Sequence, residues 1–271
     1  MAKLDTNAAW KEASGLVAAN RDVLFALAGV FFLLPSLALA VILGEPEVEP
    51  GMNPDQIMAA MGEFYRSGWW LMLLGWLIQI VGMLAILTLM RNRERPTVGE
   101  AIGSGAAGTP SYVAAQLLFF LVIVFGGGVL IGLAGAASPA LAVVVGLLVF
   151  VAAVFVGVRL ILVAPLVAVE GQRNPLTALR RSWGLTQGNF WRIFAFLLLV
   201  GILFLIVLSI VMLVVGLILA VATSGETQRV IAAVFSSALT AVAVVYFCGI
   251  LAAIHRQLAG PASEEVAAMF E

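Results

Sequence analysis

The chain has 271 residues, of which 63% are hydrophobic and 11% charged, whereas a soluble domain needs about 25% charge to face water. A net charge of -1 without a long basic run provides no electrostatic footprint for nucleic acid, and none is expected as a partner. One cysteine, Cys248, and one histidine, His255, exclude an intramolecular disulfide and a thiolate or histidine metal cluster, so no metal or cofactor is expected.

The elements follow in chain order. Asn7 to Asn20 reads as a short amphipathic stretch, with Trp10, Ala13 and Val17 at helical spacing. The first apolar run, 23–43, is longer than an ordinary signal h-region, and the residues ahead of it are mixed and polar. It is read as a retained transmembrane helix, although Ala38-Leu39-Ala40 resembles a cleavage site. Pro35 is expected to kink it, and Glu45, Pro46, Glu47, Glu49 and Pro50 to end it. The second span, 67–90, opens on Phe64, Tyr65, Trp69 and Trp70, a cluster suited to a membrane–water boundary. On it Gly68, Gly75 and Gly82 recur every seven residues, with Gln79 on the same stripe. Such a stripe lets another helix approach closely.

Thr97-Val98-Gly99-Glu100 fits a capping box and starts a second amphipathic stretch, weakened as a helix by glycines 99, 103, 105 and 108. Spans three and four, 113–134 and 141–169, flank a tight turn at Ser138-Pro139. In the third, Gly128 and Gly132 form a GxxxG expected to pack against a neighbouring helix. In the fourth, Arg159 is the one charge deep within a span, a functional candidate by default. The alternative is snorkelling to the headgroups, should the span meet the interface near Pro165. The third amphipathic stretch is the clearest. Asn174 can cap, Pro175 suits the first helical position, Leu176, Leu179 and Trp183 form an apolar stripe, and Gly188 can end it. Phe190 and Trp191 open span five, 193–222, and Ser224-Gly225-Glu226 separates it from span six, 230–254.

The pattern predicts an all-α, polytopic six-helix bundle forming a single membrane domain over 1–271. Three repeats of interfacial helix plus transmembrane hairpin, starting near 7, 97 and 175, stand beside the plainer reading that any even set of spans makes hairpins. Lys3, Lys11, Arg21, Arg91, Arg93 and Arg95, with the arginines at 173, 180, 181, 192 and 256, fall on one side. Only Arg66 and Arg229 fall on the other, among Glu45, Glu47, Glu49, Asp55, Glu63 and Glu226. This asymmetry places both termini in the cytoplasm.

The stretch from Arg159 to Trp191 carries a more specific signal in Arg159, Pro165, Glu170, Pro175, Ala178, Ser182, Trp183, Leu185, Thr186, Gly188 and Trp191. It resembles the membrane domain found beside some glycerophosphoryl diester phosphodiesterases and the related YciC-like bacterial membrane proteins. The resemblance implies a bacterial inner-membrane location and no secure activity. The phosphodiesterase's own histidine and carboxylate metal site has no counterpart here, so that chemistry is not carried over.

Arg159, Arg180, Arg181, Ser182, Thr186 and Arg192 are the candidate contacts for lipid headgroups. Ser182 and Thr186 lack a base in sequence, and no carboxylate or histidine of the kind used in proton coupling lies inside a span. The expected function is a non-enzymatic membrane module associating with membrane lipids, with a protein partner or a second copy left open. The alternative is a lipid or small-molecule transporter with a polar site around Arg159.

Overall fold

The computed structural model describes residues 3–44, 46, 51–91 and 96–260. Of the charges used for orientation, Glu45, Glu47, Glu49, Arg93 and Arg95 lie outside the described residues, as does Pro50. In chain order the helices are α1 (Thr6–Ala19), α2 (Arg21–Ala28), α3 (Leu34–Leu43), α4 (Pro54–Leu89), α5 (Val98–Leu121), α6 (Gly127–Ala137), α7 (Pro139–Arg159), α8 (Val163–Ala168), α9 (Pro175–Leu185), α10 (Phe190–Ala222) and α11 (Gly225–Ala259). π turns at Gly29–Leu33 and Val122–Gly126 join α2 to α3 and α5 to α6 without a break. Six segments are long and apolar enough to cross a membrane: Arg21–Leu43, α4, Val98–Ala137, Pro139–Ala168, α10 and α11. The protein is an all-α, multi-pass membrane protein of six spans.

Caps set the helix starts. Asp5 accepts from the backbone N–H of Asn7 and Ala8 at 2.9 and 3.0 Å, satisfying two donors that the first turn of α1 leaves free. Thr97 and Glu100 form the expected capping box at the start of α5, and Asn53 with Gln56 forms another at α4. Ser138 and Asn174 cap α7 and α9, each followed by a proline at the first position. In the first span the irregularity precedes Pro35. The proline offers no N–H to the preceding turn, and the helix widens there into a π turn.

Both ends of the described chain meet at one end of the bundle, the terminal end. There the backbone N–H of Leu4 donates to Asn189 Oδ1 at 2.9 Å, and that of Asp5 to Gln257 Oε1 at 3.1 Å. The core lies in this half. Leu24, Leu84, Leu87, Val167 and Leu251 form one buried cluster, and Leu4, Ala9, Leu162, Ile193 and Ile254 belong to a second. α1 packs Ala13 and Val17 against Gly249 of α11.

Three local expectations are corrected. The second amphipathic stretch is not a separate interfacial helix, because α5 runs through Pro110 as one helix. Its glycines are the reason: a Cβ on Gly105 would stand 2.7 Å from the Val81 carbonyl, and one on Gly108 2.9 Å from Val167. Tight packing on α4 and α8 thus supports a segment of low helix propensity. The fourth apolar run is not one continuous helix over 141–169. α7 ends at Arg159, residues 160–162 turn, and α8 follows with every residue from Val163 to Ala168 buried. Finally, Gly128 and Gly132 have nothing within 4 Å of where a Cβ would be, and both face outward. α6 meets α7 through the neighbouring stripe instead, with Gly127 against Val149 and Gly146 against Ile131. One residue is a rotation of about 100° on a helix, enough to turn a GxxxG away from its partner. The stripe on α4 faces the first span: Gly68 meets Leu43, Gly75 meets Leu39, and Gly82 meets Phe31.

Candidate functional site

The residues singled out between 159 and 192 gather around the break between α7 and α8. A helix that stops inside a protein leaves carbonyls without partners. Here the Arg159 carbonyl accepts from Ser182 Oγ at 2.8 Å and from Thr186 Oγ1 at 3.1 Å. Both hydroxyl-bearing residues are wholly buried and sit on and just after α9. Their four-residue spacing presents two hydroxyls to one carbonyl, so they hold α9 against the break rather than facing a headgroup.

The Arg159 side chain leaves in the other direction. Its guanidinium carbon lies 5.0 Å from the Trp183 ring and 5.5 Å from the Phe155 ring, a cation–π cage between α7 and α9. Nη1 makes a long 3.4 Å contact to the Trp183 carbonyl, and buried Nε has no hydrogen-bond partner. Arg159 is therefore a cation at the end of α7 among aromatics, within the Pro139–Ala168 segment. Other polar groups within the spans are engaged elsewhere: Gln79 Nε2 reaches Ser36 Oγ at 3.4 Å, and Tyr246 stacks on Trp10.

Beyond α8, the chain builds a polar junction that sequence reasoning missed. One carboxylate, Glu170, takes Arg181 Nη2 at 2.9 Å and His255 Nε2 at 2.9 Å, tying the α8–α9 connection to α9 and α11. Burial pushes the Glu170 carboxyl up, but the hydrogen bond from His255 and the charges of His255 and Arg181 outweigh this and hold it below its ordinary value. Nearby, Arg256 Nη1 donates to Glu12 Oε1 at 3.2 Å, and its Nη2 donates to the Met90 carbonyl. Arg173 accepts at its carbonyl from Ser111 Oγ at 2.7 Å. Arg192 donates to the Leu4 carbonyl at 3.2 Å. His255 lies 85 residues from Glu170 and Glu12 lies 244 from Arg256, separations that no spacing rule spans. The one advance sign was the pair of polar residues, Glu170 and His255, each at the terminal end of a span.

The geometry separates the candidate headgroup contacts. Arg181 and Arg192 are engaged with Glu170 and the Leu4 carbonyl. Arg180 is exposed and has no ion-pair partner among the described residues, as are Lys3 and Lys11. α9 buries Ala178 and Ser182, while Leu176 is 53% exposed and Trp183 38%. Trp191, at the start of α10, is 75% exposed. The apolar stripe of α9 is thus split: Leu179 packs against the core, while Leu176 and Trp183 are exposed beside Arg180, as on a helix lying in a membrane interface. Gly171 and Gly188, with φ of 66° and 80°, make the two turns that set this helix across the bundle.

What this arrangement can do chemically is limited. His255 is buried, and its Nε2 faces a carboxylate. The nearby hydroxyls of Ser182, Thr186 and Thr88 all donate to carbonyls. Among the described residues, these hydroxyls are therefore committed to backbone carbonyls rather than to the His255 imidazole.

The model of a domain of unknown function, DUF7847, matches residues 5–258, and the chain belongs to that family. No curated protein and no solved structure matches it.

Proposed function

We propose that this chain, as a member of the DUF7847 family, is a non-enzymatic membrane module that gathers anionic lipids at its terminal end. The observation carrying this reading is the outer face of α9. Arg180 stands there beside exposed Leu176 and Trp183, with Lys3 and Lys11 exposed at the same end, none of the three ion-paired among the described residues. Near an anionic surface each such cation contributes about 1 kcal/mol, while the aromatic groups fix depth. The uneven basic residues favour a cytoplasmic location for this end and both termini. The likeness of Arg159–Trp191 to the membrane domains beside glycerophosphodiesterases favours a bacterial inner membrane. The transport alternative required a polar site around Arg159, and its aromatic cage with Phe155 and Trp183 does not favour it.

The test is lipid retention. Wild type and a Lys3→Gln, Lys11→Gln, Arg180→Gln variant are purified from membranes of mixed phosphatidylethanolamine and phosphatidylglycerol, and co-purifying lipids are quantified by mass spectrometry. The variant should lose phosphatidylglycerol by about fivefold or more relative to wild type, given the size of each electrostatic contribution. Equal retention would remove the rim as a lipid site.

A further inference from the structure

A cavity of about 160 Å³ opens where α7 breaks, away from the Arg159 cage. Its walls are mostly apolar, including Phe119, Leu160, Ile161 and Phe247, and no charged residue lines it. An apolar cavity of about 150 Å³ takes a benzene-sized guest, so this one suits a short length of hydrocarbon. Two lining residues are polar. Tyr112 and Gln116, one turn apart on α5, share a single hydrogen bond, with Gln116 Nε2 donating to the tyrosine oxygen at 2.9 Å. The phenolic hydrogen and the amide oxygen take no partner among the described residues. If the amide is turned over, the pair still leaves at least one donor and one acceptor unspent.

Depth adds a second constraint. Ser111, beside Tyr112, bonds the Arg173 carbonyl in the polar connection ahead of α9. Gln116 is about 7 Å further along the helix. The polar pair therefore lies just inside the terminal-end interface, with hydrocarbon-sized space next to it. A single hydroxyl can accept from one member of such a pair and donate to the other, which an ester or a phosphate cannot do. We infer that the cavity binds an uncharged lipid alcohol, with its hydroxyl between Tyr112 and Gln116 and its chain along Phe119 and Phe247. This deepens the lipid-association reading but uses different residues from the rim.

Gly157 supplies the test, because it lines the cavity and nothing stands within 4 Å of where its Cβ would be. Gly157→Leu would fill the space without a clash at the Cβ itself. Binding of 1,2-dioctanoylglycerol and of its 3-O-methyl ether is measured in detergent for wild type, Gly157→Leu and Tyr112→Phe. Wild type should bind the alcohol saturably and the ether about tenfold more weakly, the worth of one unmatched hydrogen bond. Tyr112→Phe should bind the alcohol about as weakly as wild type binds the ether, and Gly157→Leu should not bind it. No saturable binding by wild type, equal binding of alcohol and ether, or undiminished binding by both variants would overturn the inference. Phosphatidylglycerol retention measured on the same samples keeps the two readings apart. It should stay at the wild-type level in both cavity variants. A rim variant that keeps its phosphatidylglycerol while binding at the cavity follows these rules would remove only the rim.

Discussion

The two ends of this bundle are built on different principles. At the terminal end, α1, α8, α9 and the nearer parts of α4 and α11 bury their side chains and cross-link through Glu170, Arg256, Asn189 and Ser182. Of the most apolar stretch of α4, 44% is buried, whereas that of the fourth span is not buried at all and that of α10 only 6%. At the far end, α6, α7 and α10 show Leu133, Val143, Leu217 and Val221 outward, each more than 60% exposed. Lipid tails are as apolar as these side chains, so burial against protein gains them little. The terminal end is specified by contacts between residues, and the far end by the membrane around it. Substitutions should therefore be costly in one half and tolerated in the other.

The largest expected effect is at Gly105, where α5 lies directly on the backbone of α4. A valine there meets the Val81 carbonyl and the Ala85 amide, neither of which can move aside as a side chain could. Gly105→Val should lower unfolding stability in detergent by about 3 kcal/mol, at the upper end of overpacking costs. A thermal midpoint within a degree of wild type would show that the contact between α4 and α5 is looser than drawn.

The next effect concerns the junction. Glu170→Gln keeps the shape but loses the charge that faces Arg181 and His255, and should cost about 1–2 kcal/mol at neutral pH. The pH dependence has a definite sign. A carboxyl whose folded pKa is depressed stabilises the fold above its unfolded value, about 4.3 for glutamate, and that contribution disappears as pH falls through the lower folded value. The stability lead of wild type over Glu170→Gln should be full at pH 6–7 and shrink below about pH 4.3. A gap that does not change down to pH 3 would mean that Glu170 contributes shape alone.

The same contrast explains what the sequence made legible. Spans in both halves are visible because a run of apolar residues long enough to cross a bilayer is a local property. The caps at Asp5, Thr97, Ser138 and Asn174 are local as well. The break after Arg159 is legible only in part: Pro165 leaves the Ile161 carbonyl without its helical donor, but the Arg159 carbonyl is answered by residues over twenty positions later. The continuity of α5 was hidden for the opposite reason. Its glycines and Pro110 look like a disrupted helix until α4 and α8 are packed against them. At the site, Arg159, Ser182 and Thr186 stood out by residue type and spacing, but their bonds to one another needed the fold. Glu170 with His255 and Tyr112 with the α7 break are long-range meetings that no window of a single sequence contains.

The smallest expected effect tests the far half directly. Gly128 faces open space on α6, in a segment where lipid is the neighbour. Replacing glycine by alanine in a helix gains up to about 1 kcal/mol of propensity when nothing is displaced. Gly128→Ala should therefore raise stability slightly or leave it alone, and Gly128→Leu should be close to neutral, with both unfolding midpoints read in the same detergent as Gly105→Val. The leucine variant is the informative one. If this GxxxG packs a second copy of the chain, leucine would separate the two backbones and cause a loss of stability that grows with protein concentration, as expected when subunits dissociate. A concentration-dependent loss approaching that of Gly105→Val would mean that part of the far half is also specified by contacts between residues, supplied in that case by another chain.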